Sequence, residues 1–268
     1  MSEHAETTLH AAPRASTPLA PVRTGTVTAV LALMRWSLAS TGAMLPLIVI
    51  VQAMLAAGII LGFGLVIGDI TPQGALFLST GAPTILLLTI GLVIVPQGVS
   101  RARASGAFDY QRALPVARPL LMIVDLVVWA LIALPGVAVG LLVARLRFDL
   151  TFSFDWPLLV FASLLVTTMA TAVGYAIAVS MPPMPAQMLS QVLVFFVLLF
   201  SPITFPVEQL PQWFQMLHDV LPIRPAADLL RAGIAAESFT AELRDLLVLA
   251  AWTALGLVLT ARALMRRR

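Results

Sequence analysis

Three stretches of this chain carry no charged side chain: Trp36 to Gly68, Ile70 to Ser100 and Trp156 to Val207. Roughly 20 apolar residues cross a bilayer as a helix, so the first two stretches each hold one crossing and the third holds two. A water-facing surface of ordinary polarity cannot be built from such runs. Only 11% of the residues are charged, against about 25% in a soluble domain, and mean hydropathy is +0.98. These runs predict an all-α, multi-pass membrane protein.

Residues 1–23 hold Glu3 and Glu6 and no apolar centre, which predicts a disordered tail rather than a signal peptide. His4 and His10 within it read as solvated rather than metal-bound. From Thr24 to Leu38 the apolar positions Val27, Val30, Leu31, Met34 and Leu38 recur at helical spacing, with Thr24, Thr28 and Arg35 opposite. Two readings are open: a helix lying in the interface, or an inward extension of the first span. Residues 24–268 then form one six-span domain, with spans near 43–67, 75–95, 119–144, 157–180, 188–205 and 244–262. The last is the shortest apolar run, lengthened by Arg244 and Arg262 snorkelling to either surface. Phe148, Phe152, Phe154 and Trp156 stand where an aromatic belt would.

The three prolines in Met181 to Gln187 predict a turn between spans 4 and 5. Val207 to Thr240 is too polar for lipid but keeps Leu210, Trp213, Phe214, Leu217 and Val220 on one side. Cut by Pro211, Pro222 and Pro225, it predicts two short interfacial or re-entrant helices, with His218 as a surface residue.

Between spans 2 and 3 lies the one long polar interruption, Gly98 to Arg118. It carries Arg101, Arg103, Arg112 and Arg118, with Phe108 and Tyr110 flanking Asp109. Six spans put both ends of the domain on one side. That side receives Arg14, Arg23, Arg35, the four loop arginines, Arg262 and Arg266 to Arg268, eleven in all; the other receives Arg145, Arg147, Arg224, Arg231 and Arg244, five. The excess of cations predicts cytoplasmic termini and a cytoplasmic loop in a cell membrane.

Arginines at the ends of apolar runs are a topology signal, not the one-sided patch of a nucleic-acid binder. There is no cysteine, so disulfides and thiolate metal sites are excluded; no metal site and no catalytic set emerge. There is no lysine either: all 16 cations are arginine. A P-loop needs lysine for the β- and γ-phosphates, so this chain cannot itself be an ATPase of that class. Few polar side chains enter the spans. Gln52 is either an interhelical hydrogen-bonding group or a substrate-path residue. Asp125 is either neutralised by Arg118 or Arg112 or serves a coupling role, and Gln187 and Gln191 either line a cavity or cap a span.

The order of parts resembles the permease subunit of an ABC exporter of the ABC-2 type. Two stretches carry the likeness: Arg103 to Arg118, with Gly106 and then Leu114-Pro115-Val116-x-Arg118, and Ser201 to Arg231, with FPVEQLPQWFQMLHDVLP. The chain departs from the family at Ala104 and Ser105, where a glutamate commonly precedes the glycine. The resemblance implies an N-terminal interfacial helix, a cytoplasmic coupling helix between spans 2 and 3, and outer helices between spans 5 and 6. It implies a dimer with a second copy or a paralogue, set among membrane lipids and docked on a separate ABC ATPase that holds ATP and magnesium; this chain would bind no cofactor. Arg101, Arg103, Gly106, Phe108, Asp109, Tyr110 and Arg112 are then the ATPase-coupling residues. Spans 1, 2 and 5 would line the path, with Gln52, Phe63, Gln191, Phe195 and Phe196 as candidates. Such surfaces, with Met44 and Met54, suit a lipophilic cargo or are ordinary packing against lipid and helices.

Two other classes remain in view. An ion-coupled transporter needs repeats and buried ionisable groups, and only Asp125 lies well inside a span. An intramembrane enzyme needs facing acids, a Ser/His set or a metal cluster.

Overall fold

In a computed structural model, residues 26–42, 44–67, 70–107 and 118–265 are described, and among them all regular structure is helical. The elements are α1 (Thr26–Gly42), α2 (Leu45–Ile67), α3 (Pro72–Thr89), a π-helical turn (Ile90–Ile94), α4 (Val95–Ala104), α5 (Arg118–Phe148), α6 (Trp156–Ser180), α7 (Pro183–Phe200), a 3-10 turn (Val207–Gln209), α8 (Gln212–Val220), α9 (Ile223–Ile234) and α10 (Leu243–Met265). Six segments are long and apolar enough to cross a membrane: Leu45–Val66, Pro72–Ala104, Ile123–Phe148, Trp156–Ser180, Pro183–Phe200 and Leu243–Ala263. That is the number of spans the sequence predicts, four of them in the uncharged runs.

Several helix ends differ from the sequence reading by a few residues, and proline chemistry explains two of them, the end of span 2 and the start of span 5. The sequence puts the end of span 2 near Val95, just before Pro96; instead α3, the π-turn and α4 run as one rod to Ala104. A proline inside an α-helix removes one hydrogen bond and drives its ring into the carbonyl of residue i−4. Here the ladder is widened just upstream, the Val95 amide donating to Ile90 O rather than to Gly91, and Pro96 falls in the first turn of α4, where the missing N–H costs nothing. Likewise only Met181 and Pro182 break the chain between α6 and α7. Pro183 and Pro185 occupy the first turn of α7, so this helix starts earlier than its apolar run and ends at Phe200.

The rod is the buried centre of the bundle, with α2, α5, α6 and α9 against it; α7 and α10 are mostly uncovered along their spans. Its middle is made of small residues, Ser79, Thr80, Gly81, Ala82 and Thr84, all buried, which let neighbouring backbones come close where lipid supplies no hydrophobic push. Helix α1 lies along α5, with Val30, Leu33 and Met34 against Val124, Val128 and Ile132, while Val27 and Leu31 stay exposed.

The segment after α7 turns inward. Ser201 to Thr204 is buried non-helical backbone, tolerated because protein rather than lipid surrounds it. Helix α9 is buried along nearly its whole length against α3, α6 and α10. His218 corrects the sequence reading: it is fully buried, its Nδ1 3.0 Å from Phe214 O and its Nε2 3.4 Å from Ser201 Oγ. Trp213, Leu217 and Val220 of α8 are exposed instead. The amphipathic period of α8 is real, but it is His218 that meets the protein while Trp213, Leu217 and Val220 face outwards.

Candidate functional site

The end of the bundle reached by α4 is tied together by polar contacts. A helix leaves its last four carbonyls without intrahelical donors, and at the end of α6 Arg103 serves two of them: its guanidinium donates to Ala178 O and, at 2.6 Å, to Met181 O. One turn earlier in α6, Tyr175 donates to Asp125 Oδ2 of α5 at 3.4 Å, and Ser37 of α1 donates to Asp125 Oδ1 at 3.3 Å. The last two turns of α6 thus fasten α4, α5 and α1. Asp125 has these two partners among the described residues; Arg112 and the Arg118 side chain lie outside them.

Other candidates from the loop are placed differently. Arg101 is exposed and folds back on its own helix, Nε donating to Gln97 O at 3.2 Å. Gly106 has φ +77°, a left-handed conformation that glycine adopts without strain, and an open surround. Phe108, Asp109, Tyr110 and Arg112 lie outside the described residues.

Higher along the rod, the π-turn meets α6 backbone to backbone. A Cβ on Gly174 would overlap the Gly91 carbonyl, and one on Gly91 would overlap Ala170 Cβ. Single π-turns inside helices mark places where the ladder can be re-registered. The rod thus touches α6 at two levels, the Arg103 cap and the glycine contact.

The path candidates fall into two groups with different neighbours. Gln52 of α2 is buried; its Nε2 lies 3.5 Å from Ile132 O, and its Oε1 is packed on Gly136 without a hydrogen-bond partner. Phe63 is half-buried against the main core. On α7, Gln191 and Phe195 are exposed, and Phe196 is half-buried with ring centroids 5.4 Å from Phe200 and 6.3 Å from Phe214. Helix α2 packs mainly on α5 and α3, whereas α7 packs mainly on α4, the π-turn and α6 and only lightly on α3. Met184, Met188, Val192, Phe195 and Leu199 form one exposed apolar stripe along α7.

At the opposite end of the bundle an ion lattice emerges that no reading of separate runs suggests. Arg244 of α10 meets Asp219 of α8 at 3.1 Å, Asp219 also pairs with Arg224 of α9, Arg224 meets Asp228 at 3.4 Å, and Asp228 meets Arg231 at 2.7 Å. Arg231 is only 1% exposed. Its Nη2 donates to Ile203 O, and its guanidinium lies 3.7 Å over the Phe77 ring of α3. Burial pulls its pKa down to about 10, against the Asp228 carboxylate that raises it, so it stays charged at neutral pH. The only hint in the sequence was the position of Arg231 at the close of the Ser201 motif.

No group of three or more His, Cys, Asp or Glu placed to hold a metal occurs among the described residues. A family model described as ABC-2 type transporter matches residues 28–235. No curated protein matches the chain.

Proposed function

Because this chain belongs to the ABC-2 type transporter family and is thereby the transmembrane, non-catalytic component of an ABC transporter, we propose that it is an exporter permease moved by a separate ATPase subunit, with ATP and magnesium held on that partner. The ATPase docks on the segment from Arg101 to Arg118, on the cytoplasmic side of the cell membrane, where both termini also lie. The observation that carries this reading is the attachment of Arg103 to the Ala178 and Met181 carbonyls. A push delivered at Arg103 loads the end of α6 directly.

In this mechanism ATP-driven closure of the motor displaces α4, and α6 follows through the cap and the Gly91–Gly174 contact. The cavity then turns from the inner to the outer side. Net export requires that the cargo bind the inward-facing state more tightly than the outward-facing one. A second permease copy or a paralogue seats against the exposed stripe of α7, which brings Gln191, Phe195 and Phe196 towards a shared path with Gln52 and Phe63. The apolar and aromatic character of that stripe fits a lipophilic cargo, a drug-like or lipid-like molecule.

The test is reconstitution with the cognate ATPase. Replacing Phe108, Asp109 and Tyr110 together by alanine is expected to abolish cargo-stimulated ATP hydrolysis while the subunit stays folded. Full stimulation and transport in that triple variant would refute the docking assignment. Transport that continues without ATP and collapses with the proton gradient would assign the chain to ion-coupled transport instead.

A further inference from the structure

An apolar groove of about 380 Å³ runs between the second half of α5 and the first half of α6, within the range of small-molecule pockets. None of the path candidates lines it. Its floor is Val137, Leu141 and Leu159, all buried, and its outer walls include Leu142 and Val160, both exposed. It therefore opens on the outer flank of two apolar, span-length helices rather than into the bundle. Arg145 stands at its rim, together with Phe152, Phe154 and Trp156. The three rings pack in sequence, with centroids 5.8 Å and then 4.8 Å apart, and Trp156 is exposed, the placement of aromatics at headgroup depth.

The charges at this rim are unbalanced. Arg145 has no ion pair among the described residues, and Arg147 rests over the Phe148 ring at 5.2 Å. Of the two nearby acids, Asp155 is committed to capping α6, accepting from the Leu158 amide at 3.1 Å, and Asp149 is exposed on the turn after α5. A guanidinium without a carboxylate, above a slot that only hydrocarbon can fill, matches one kind of molecule. We propose that this groove is a binding site for a resident anionic phospholipid, one acyl chain lying in the slot and its phosphate accepting hydrogen bonds from Arg145. The lipid wedges α5 against α6 at the end of the bundle away from α4, apart from the cargo path.

The experiment uses the full chain in phosphatidylcholine nanodiscs containing increasing fractions of phosphatidylglycerol brominated in its acyl chains. The probe is quenching of Trp156 fluorescence, taken as the difference from Trp156→Phe. Expected is a saturable curve at low mole fraction, its midpoint raised about tenfold in Arg145→Gln by loss of a charge-assisted hydrogen bond, and its saturable part lost in Ala138→Phe, which fills the slot from the lipid side. Arg145 is exposed, so its replacement leaves the fold intact. Quenching that rises in simple proportion to mole fraction, an Arg145→Gln midpoint equal to wild type, or the same curve with brominated phosphatidylcholine would each overturn the site. Absence of quenching at any fraction would mean that protein covers the groove, and would overturn it too.

Discussion

Gly174 of α6 and the carbonyl of Gly91 in the π-turn are in direct backbone contact, with Pro96 Cγ 3.0 Å from where a Cβ on Gly174 would stand. This is a close backbone approach between the central rod and the helix that Arg103 caps. It occurs where the rod departs from α-helical register.

Any side chain at this contact must push the two helices apart. Gly174→Ala is expected to cost about 1–3 kcal/mol, the range for overpacking a filled interior, and Gly174→Val more. Thermal unfolding of the purified chain in detergent measures it. An unchanged midpoint for Gly174→Val would show that the rod and α6 are not in contact as described.

Arg231 should be the least replaceable cation among the described residues. Removing it leaves the Ile203 carbonyl without its donor and Asp228 with only Arg224, and empties the space over Phe77. Loss of one partner from a buried pair costs about 3–5 kcal/mol, discounted here because Asp228 is partly exposed. Arg231→Leu is expected to lower the unfolding midpoint and expose the 201–222 segment to protease. Arg231→Lys should do less, keeping the charge but losing the planar fork. Arg244→Gln, at the exposed end of the lattice, should cost under about 1 kcal/mol.

Arg103 and Arg101 stand two residues apart and are expected to behave differently. Arg103→Gln removes the donors that cap α6, so cargo-stimulated ATP hydrolysis should fall several-fold while ATPase binding is retained. Arg101→Gln loses only a bond within its own helix, so any effect should be on ATPase affinity. Equal losses of stimulation in both variants would show that charge, not the cap, is what matters. Stimulation and ATPase pull-down, measured side by side, separate the two.

Gln52 carries a buried amide oxygen without a partner. Gln52→Met has a similar volume and removes that cost, so it should leave the unfolding midpoint unchanged or raise it by the equivalent of about 1 kcal/mol. If Gln52 lines the path, cargo-stimulated ATP hydrolysis changes in the same variant; if it only joins α2 to α5, it does not.

The number and order of the helices were legible because charge is excluded from lipid, so a run without charge is almost a direct image of a span. Proline was the misleading signal. Pro96, Pro183 and Pro185 read as breaks, but each sits in a first turn where no amide is needed, and the π-turn ahead of Pro96 has no signature in composition. His218 was misplaced for another reason: periodicity shows that α8 has two faces, not which of them meets the protein. The lattice from Arg244 to Arg231 was illegible because its members come from three helices, brought together by tertiary packing. Arg103 was singled out as a charge for a partner, yet its nearest contacts are carbonyls of its own chain.

The central claim is that the Arg101 to Arg118 segment faces the cytoplasm and receives the motor. The chain has no cysteine, so Ala104→Cys, on an exposed position of α4, creates a unique label site. With a membrane-impermeant maleimide, intact cells should leave it unlabelled, inside-out vesicles should label it fully, and added ATPase subunit should protect it. Labelling in intact cells, or accessibility indifferent to the ATPase, would contradict the account.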